Sequence, residues 1–152
     1  MVDFSAGILL YRRMPRLEVF LGKMGGPFWA RKDSAAWSIP KGLYLPGDEE
    51  PLSAALREFA EEIGAPAPEV DYVLLGEFRQ PSGKRLTVFA GDGDAQYVGS
   101  NTFEVEWPPR SGRMQAFPEI ETAQWFSLDE AGEKIVKGQK QILGSILSAV
   151  SG

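Results

Sequence analysis

The chain has 152 residues, of which 43% are hydrophobic and 24% charged, the proportions of a globular domain large enough to bury a core. Its formal net charge of -5 argues against broad electrostatic binding to duplex nucleic acid or an anionic membrane, both of which draw on clustered Lys and Arg. Cysteine and histidine are both absent, which excludes disulfides, thiolate nucleophiles, Cys/His zinc sites and Ser-His-Asp triads and leaves carboxylates, Lys, Arg, Tyr and bound metal to carry any chemistry.

In chain order, Phe4 to Arg12 and Leu17 to Met24 predict two strands about an Arg13-Met14-Pro15-Arg16 turn. The apolar run in the first is followed, not preceded, by positive charge, the reverse of a secretory signal. No window approaches the ~20 apolar residues of a membrane span, so the expectation is a cytoplasmic protein with one domain over residues 1–152. Gly25-Gly26-Pro27 opens a loop that runs to Asp33, and Ala36-Trp37-Ser38-Ile39 is a short strand ended by Pro40.

A helix is predicted from Pro51, a favoured first-turn residue, to Gly64, a favoured C-terminal stop, with Pro66 beyond it. At about 100° per residue, Leu52, Ala55, Leu56, Phe59 and Ile63 line one face, and Glu58, Glu61 and Glu62 share a neighbouring one. Like charges at that spacing cost about 0.2–0.5 kcal/mol per pair even when exposed. A divalent cation is the simplest explanation for an acidic face with no interleaved base.

Val70 to Arg79, Leu86 to Ala90 and Thr102 to Trp107 then read as strands, with Gly91-Asp92-Gly93-Asp94 and Trp107 to Arg113 as loops. Gln124-Trp125-Phe126 is a short last strand, and Ser127-Leu128-Asp129-Glu130 a capping box that starts a helix. A second helical run covers Gly138 to Val150, with Ile142, Leu143, Ile146, Leu147 and Val150 as its core face. Alternating strands with an internal and a terminal helical region indicate a compact α/β sandwich.

Glutamates are hard oxygen ligands suited to Mg²⁺ or Mn²⁺, and a Mg²⁺ site commonly joins one or two carboxylates to substrate phosphate and water. The helix therefore points to hydrolysis of a phosphoanhydride.

The run Arg57-Glu58-Phe59-Ala60-Glu61-Glu62-Ile63-Gly64-Ala65, preceded by Glu49 and Gly42, resembles the Nudix hydrolase box. One residue more than in the family pattern separates Gly42 from Glu49, so the outer carboxylate position falls either to Glu49 or, counting from the glycine, to Asp48. The resemblance implies an α/β/α sandwich with a mixed β-sheet between helices. It also implies a Mg²⁺-dependent hydrolase, Mn²⁺ substituting, that attacks phosphorus with a metal-activated water. The substrate would be a small-molecule nucleoside diphosphate linked to another moiety, such as a nucleoside triphosphate or dinucleoside polyphosphate. Its metal ligands would be Glu58, Glu61, Glu62 and the backbone carbonyl of Lys41, with Arg57 orienting carboxylates by salt bridge. The base comes from the helix or from a later loop, where Glu119, Glu121 and Glu104 are the candidates. The alternative is a catalytically weak nucleotide-binding sensor of the same fold. Such proteins are monomers or homodimers.

Trp37-Ser38-Ile39-Pro40-Lys41-Gly42 is similar to the segment of Nudix enzymes that cleave dinucleoside polyphosphates and diphosphoinositol phosphates. Arg31, Lys32, Lys41, Arg110 and Arg113 are candidates to meet phosphates through charge-assisted hydrogen bonds. Trp29, Phe28 and Trp107 either stack on a base or pack into the protein. Ser5 to Arg12, Gly25 to Asp33 and Asn101 to Arg113 look like a small bacterial Nudix subgroup labelled predicted nucleoside triphosphate pyrophosphohydrolases. That likeness covers nearly the whole chain and fixes no substrate.

Overall fold

Alternation of apolar residues along the first strands decides the layering. In the computed structural model, which describes residues 2–151, β1 (Phe4–Arg12) sends Ala6, Ile8 and Leu10 to one face of the sheet and Leu9 to the other. In β2 (Glu18–Met24), Phe20 joins the first face while Val19 and Leu21 join the second. A period of two buried on both sides needs cover on both sides. Helix α1 (Pro51–Ile63) covers the first face with Ala54, Ala55, Phe59 and Ile63. Helices α2 (Leu128–Lys134) and α3 (Lys140–Ser151), joined through a 3-10 turn at Lys137–Gln139, cover the second with Ala131, Ile142, Leu143 and Ile146. The result is an α/β/α sandwich about a mixed sheet.

The remaining strands are β3 (Trp37–Ser38), β4 (Lys41–Tyr44), β5 (Val73–Arg79), β6 (Arg85–Asp92), β7 (Thr102–Glu106), β8 (Met114–Pro118) and β9 (Ile120–Ser127). The main sheet runs β3-β2-β1-β6-β5, with β4 also paired to β1 and β9 to β2. Strand β6 is parallel to β1 over its whole length, from Phe4 opposite Arg85 to Tyr11 opposite Asp92. Strands β1 and β2 meet only at Tyr11–Val19 and Arg12–Glu18, then part. Into the opening comes β4, antiparallel to the first half of β1, with Ser5 opposite Leu43 and Gly7 opposite Lys41. Strands β7 and β8 form a separate hairpin. No helix among the described residues is long and apolar enough to cross a membrane.

Helix α1 starts and stops where its sequence directs. Pro51 occupies the first helical turn, and Gly64 ends it with φ of 90°, its amide donating to the Ala60 carbonyl at 2.9 Å. The last carbonyls of the helix are taken up by a distant segment: Val98 and Gly99 donate to Ile63 at 2.8 and 3.1 Å, and Asn101 donates to Glu61 at 2.9 Å. Ser127 and Glu130 exchange both capping-box hydrogen bonds at the start of α2.

Four expectations are corrected. Strand β4 replaces an expected loop, because its pairing with β1 is a tertiary event that Lys41-Gly-Leu-Tyr does not announce by alternation. Strand β8 has no mark in the sequence, since Met114, Gln115 and Ala116 are exposed and carry no buried stripe. The last strand is eight residues, not three, because β2 offers β9 a partner from Glu18 to Met24. On α3, Leu147 is 51% exposed, so the core face narrows to Ile142, Leu143 and Ile146, with Val150 packed at its margin.

Candidate active site

The acidic helix face divides when the chain folds. Glu58 and Glu62 are buried beside Phe59 and Ile63, whereas Glu61 stays exposed. Strand β4 is what covers them, because it crosses directly over this part of α1. The Lys41 amide donates to Glu62 Oε1 at 3.3 Å. A Cβ on Gly42 would stand 1.8 Å from Glu58 Oε1, so glycine is required there to make room for a carboxylate.

Arg57 ties the cluster together. Its Nε and Nη2 donate to the two oxygens of Glu49 at 2.8 and 3.0 Å, the parallel two-bond geometry of the stronger ion pairs. Its Nη1 donates to Glu58 Oε2 at 2.6 Å and reaches Glu61 Oε1 at 3.4 Å. These bonds hold the Glu49 carboxyl below its usual range and raise the arginine further. Asp48 is exposed, and its amide, like that of Glu49, donates to the Leu45 carbonyl. The turn after Leu45 thus leaves Glu49, and not Asp48, paired with Arg57.

Burial acts the other way on the inner pair. It pushes the Glu62 carboxyl up to about 8, against the Lys41 charge and amide and with Glu58 and Glu119 adding repulsion. Glu58 is raised too, by burial first, partly offset by its bond to Arg57. Two buried carboxylates without a full counter-charge are the kind of oxygen donor that a hard cation takes. Among the described residues no three acidic side chains converge closely enough to enclose an ion unaided. The donor set thus fits Mg²⁺ in its ordinary mode, in which protein carboxylates supply part of the shell and water and phosphate oxygens the rest.

The cleft holds about 390 Å³ and is lined by Glu58, Glu61, Glu62 and Glu119 on its acidic side and by Ser5, Lys41, Lys84 and Asn101 around them. Glu119 arrives by a relay from the end of α1: Asn101, anchored to Glu61, accepts from the Glu119 amide at 2.9 Å, and Gly25 donates to the Glu119 carbonyl at 2.8 Å. Of the three loop glutamates expected as bases, only Glu119 is brought to the cleft. Glu121 pairs instead with Lys23 at 3.5 Å, and Glu104 is exposed on β7 opposite Ala116.

The cations expected from the loops lie elsewhere. Arg31, Lys32, Arg110 and Arg113 are exposed and none lines the cleft. Lys32 stands 5.2 Å over the Trp29 ring, and Trp107 packs edge-on against Phe28 at 5.7 Å. The Arg110 amide is capped by the Glu106 carboxylate at 3.0 Å. Lys84, Ser5 and Asn101 line the cleft without having been expected. Each sits in a stretch that reads as ordinary strand or turn, and Lys84 follows a Pro81-Ser82-Gly83 turn whose only signal is its loop chemistry.

A second cavity of about 570 Å³ adjoins the first and shares Ser5, Lys41 and Lys84 with it. Met24, Trp29, Pro81, Leu86 and Val136 give it apolar walls, with Gln80 and Gln139 among its polar groups. Gln139 is buried and spent, its Nε2 donating to Ser38 Oγ at 2.9 Å and its Oε1 accepting from the Ile39 amide at 3.1 Å.

The sequence model of a family described as NUDIX domain matches residues 1–145. Among solved structures, the chain is similar to the NUDIX domain of Shewanella oneidensis NrtR complexed with ADP ribose, at 14% identity and a TM-score of 0.64 over 99% of this chain and 89% of that one. It is similar to a C. elegans Ap4A hydrolase in a binary complex, at 19% identity and a TM-score of 0.62 over 97% and 98% of the two chains. A mutT/nudix family protein from Listeria innocua aligns at 14% identity and a TM-score of 0.62 over 98% and 94%. At such identities the likeness speaks for the fold alone. None of the curated proteins matches the chain at a significant level.

Proposed function

The chain belongs to the NUDIX family, and from that premise we propose that it is a Mg²⁺-dependent pyrophosphohydrolase that breaks a phosphoanhydride bond in a nucleoside diphosphate linked to another group. The observation that carries this reading is the pair of buried carboxylates, Glu58 and Glu62, held by Arg57 and by the Lys41 amide at the wall of a cleft that also presents two lysines. When bound, Mg²⁺ or its substitute Mn²⁺ supplies neutralisation of the diphosphate and a more acidic water. Glu58 and Glu62, with Glu61 and the Lys41 carbonyl at the rim, are the residues that would hold it. Arg57 and Glu49 keep Glu58 aimed at the cleft.

Glu119 is the residue of this chain that would receive the proton of the attacking water. The water oxygen forms a bond to phosphorus, the anhydride oxygen leaves with its electron pair, and the proton passes to the Glu119 carboxylate. Small-molecule recognition of this kind suits a cytoplasmic monomer or homodimer of acidic net charge. The sensor alternative gains nothing from the loop insertion, since Glu49 still engages Arg57.

A phosphate-release screen over nucleoside triphosphates, dinucleoside polyphosphates, ADP-ribose and diphosphoinositol phosphates, with Mg²⁺ and Mn²⁺ compared, tests the reading. Turnover is expected with at least one nucleotide. Glu62→Gln and Glu119→Gln, which keep size and lose charge, should each reduce kcat on the order of a hundredfold or more. Full activity in Glu62→Gln would remove that residue from the mechanism, and no turnover of any nucleotide with either metal would remove the hydrolase assignment.

A further inference from the structure

The junction between the two cavities is where an unassigned cation stands. Three strands meet there: β4 and β6 flank β1, so that Ser5 faces Leu43 on one side and Leu86 on the other. Lys41 opens β4 and Lys84 lies one residue before β6, which puts the two lysines on either side of Ser5 at the boundary of both cavities. Lys84 is partly buried, and among the described residues no carboxylate pairs with its ammonium. It is also held in place. The Gln80 amide donates to the Lys84 carbonyl at 2.7 Å, Gln80 Nε2 donates to the Gly138 carbonyl at 3.1 Å at the entry to α3, and the amide of the next residue, Arg85, donates to Asp3 at 2.9 Å.

A lysine whose backbone is anchored and whose ammonium has no carboxylate partner, lining the same cleft as four glutamates, calls for an anion between them. What lies beyond it calls for something different. Among the described residues the second cavity has no charged lining residue apart from Lys41 and Lys84, which it shares with the first, and Trp29, Met24, Pro81, Leu86 and Val136 give it apolar walls beside the uncharged polar Ser38, Gln80, Ser82 and Gln139. An inositol polyphosphate would need clustered cations there, and Arg31, Lys32, Arg110 and Arg113 are not among its walls. A planar, uncharged group with an apolar face fits.

We propose that Lys84 is a phosphate-positioning and specificity residue, which selects substrates whose diphosphate lies in the carboxylate cleft and whose nucleoside enters the Trp29 cavity. This rests on the hydrolase reading and names the substrate class of that site. It also makes Lys84, not the loop arginines, the complement to Lys41.

The test is calorimetric titration of the wild type, Lys84→Met and Lys84→Arg with ADP, inorganic pyrophosphate and adenosine in the presence of Mg²⁺. Methionine keeps the apolar stem that faces the cavity and removes the charge. Wild type should bind ADP more tightly than either fragment. Lys84→Met should lose on the order of tenfold or more for ADP and pyrophosphate and keep its affinity for adenosine, and Lys84→Arg should recover most of the loss. For a nucleotide substrate KM should rise in Lys84→Met with a smaller change in kcat. Equal binding of ADP by wild type and Lys84→Met, or an equal loss for adenosine, overturns the role of Lys84 and leaves the hydrolase reading standing. Pyrophosphate binding as tight as ADP overturns the nucleoside subsite. If wild type binds none of the three, both the nucleoside subsite and the role of Lys84 fall, while the hydrolase reading stands or falls by the phosphate-release screen.

Discussion

At Gly42 the constraint is a carboxylate and not a torsion angle. The backbone of β4 passes so close to α1 that the space a Cβ would take is filled by Glu58, which is held there in turn by Arg57. Arg57 itself is aimed by Glu49, two bonds deep, from the far side of the inserted loop. Glu49 is thus a positioning residue for the proposed metal ligand, and losing such support typically costs about 10–100-fold in metal affinity or activity. Glu49→Gln should therefore need more Mg²⁺ for half-maximal turnover, by roughly that factor, while Asp48→Asn should titrate like wild type. A metal titration of the two variants side by side decides it, and a silent Glu49→Gln with an impaired Asp48→Asn would show that the register is set from Gly42 instead.

At the scale of elements, the end of α1 connects the helix to the opposite wall of the cleft. Gly64 takes a left-handed conformation, and a Cβ there would lie 2.3 Å from the Gly99 carbonyl, in the segment whose amides close the helix. That same segment carries Asn101, which positions Glu119. Gly64→Ala should then do two things at once: lower stability by about 1–2 kcal/mol through strain at positive φ and lower kcat by displacing Glu119. Ser127→Ala offers the contrast. It removes the cap of α2 for about 1 kcal/mol on the other face of the sheet, away from the cleft. Denaturant unfolding with steady-state kinetics on both variants checks the coupling. Equal kcat in the two at equal loss of stability would mean that the relay from Asn101 to Glu119 does not matter.

For the whole molecule, the inner carboxylates link stability to pH and to metal. Glu62 has a folded pKa of about 8 against a usual 4.5, so between those values the native state holds a proton that the unfolded chain has released. Stability from the protonated group is complete below about pH 4.5 and is lost as pH rises through about 8. Glu58 shifts in the same direction. The groups that face Glu62 are Lys41, which opposes the shift, and Glu58 and Glu119, which enlarge it. Glu49, Asp33 and Glu130 are lowered, so their contributions are lost only in acid, below this window. Chelator-treated protein should therefore show a Tm that falls from about pH 5 to about pH 8. Mg²⁺, which needs the ionised carboxylates, should raise Tm more at about pH 8 than at about pH 5. A Tm that climbs across this range without metal would show that Glu58 and Glu62 are already ionised and compensated by other means.

The helix of Pro51 to Ile63, its carboxylates and arginine, and the α/β layering were legible in the chain, because helical and strand periodicity are local properties that each segment carries wherever it folds. The absence of His and Cys is likewise a property of composition, and it alone restricts the chemistry to carboxylates, Lys, Arg, Tyr and bound metal. Which of the three clustered glutamates are buried was not legible, since that depends on β4, whose pairing with β1 joins residues some forty positions apart and leaves no mark in its own four residues. That Glu119 lines the cleft while Glu121 and Glu104 do not, and Lys84 while the loop arginines do not, belongs to the tertiary structure for the same reason. A carboxylate or an ammonium looks the same in sequence whether it faces solvent or a cleft, and only the packing of distant strands and the hydrogen bonds that close α1 decide which way each one faces.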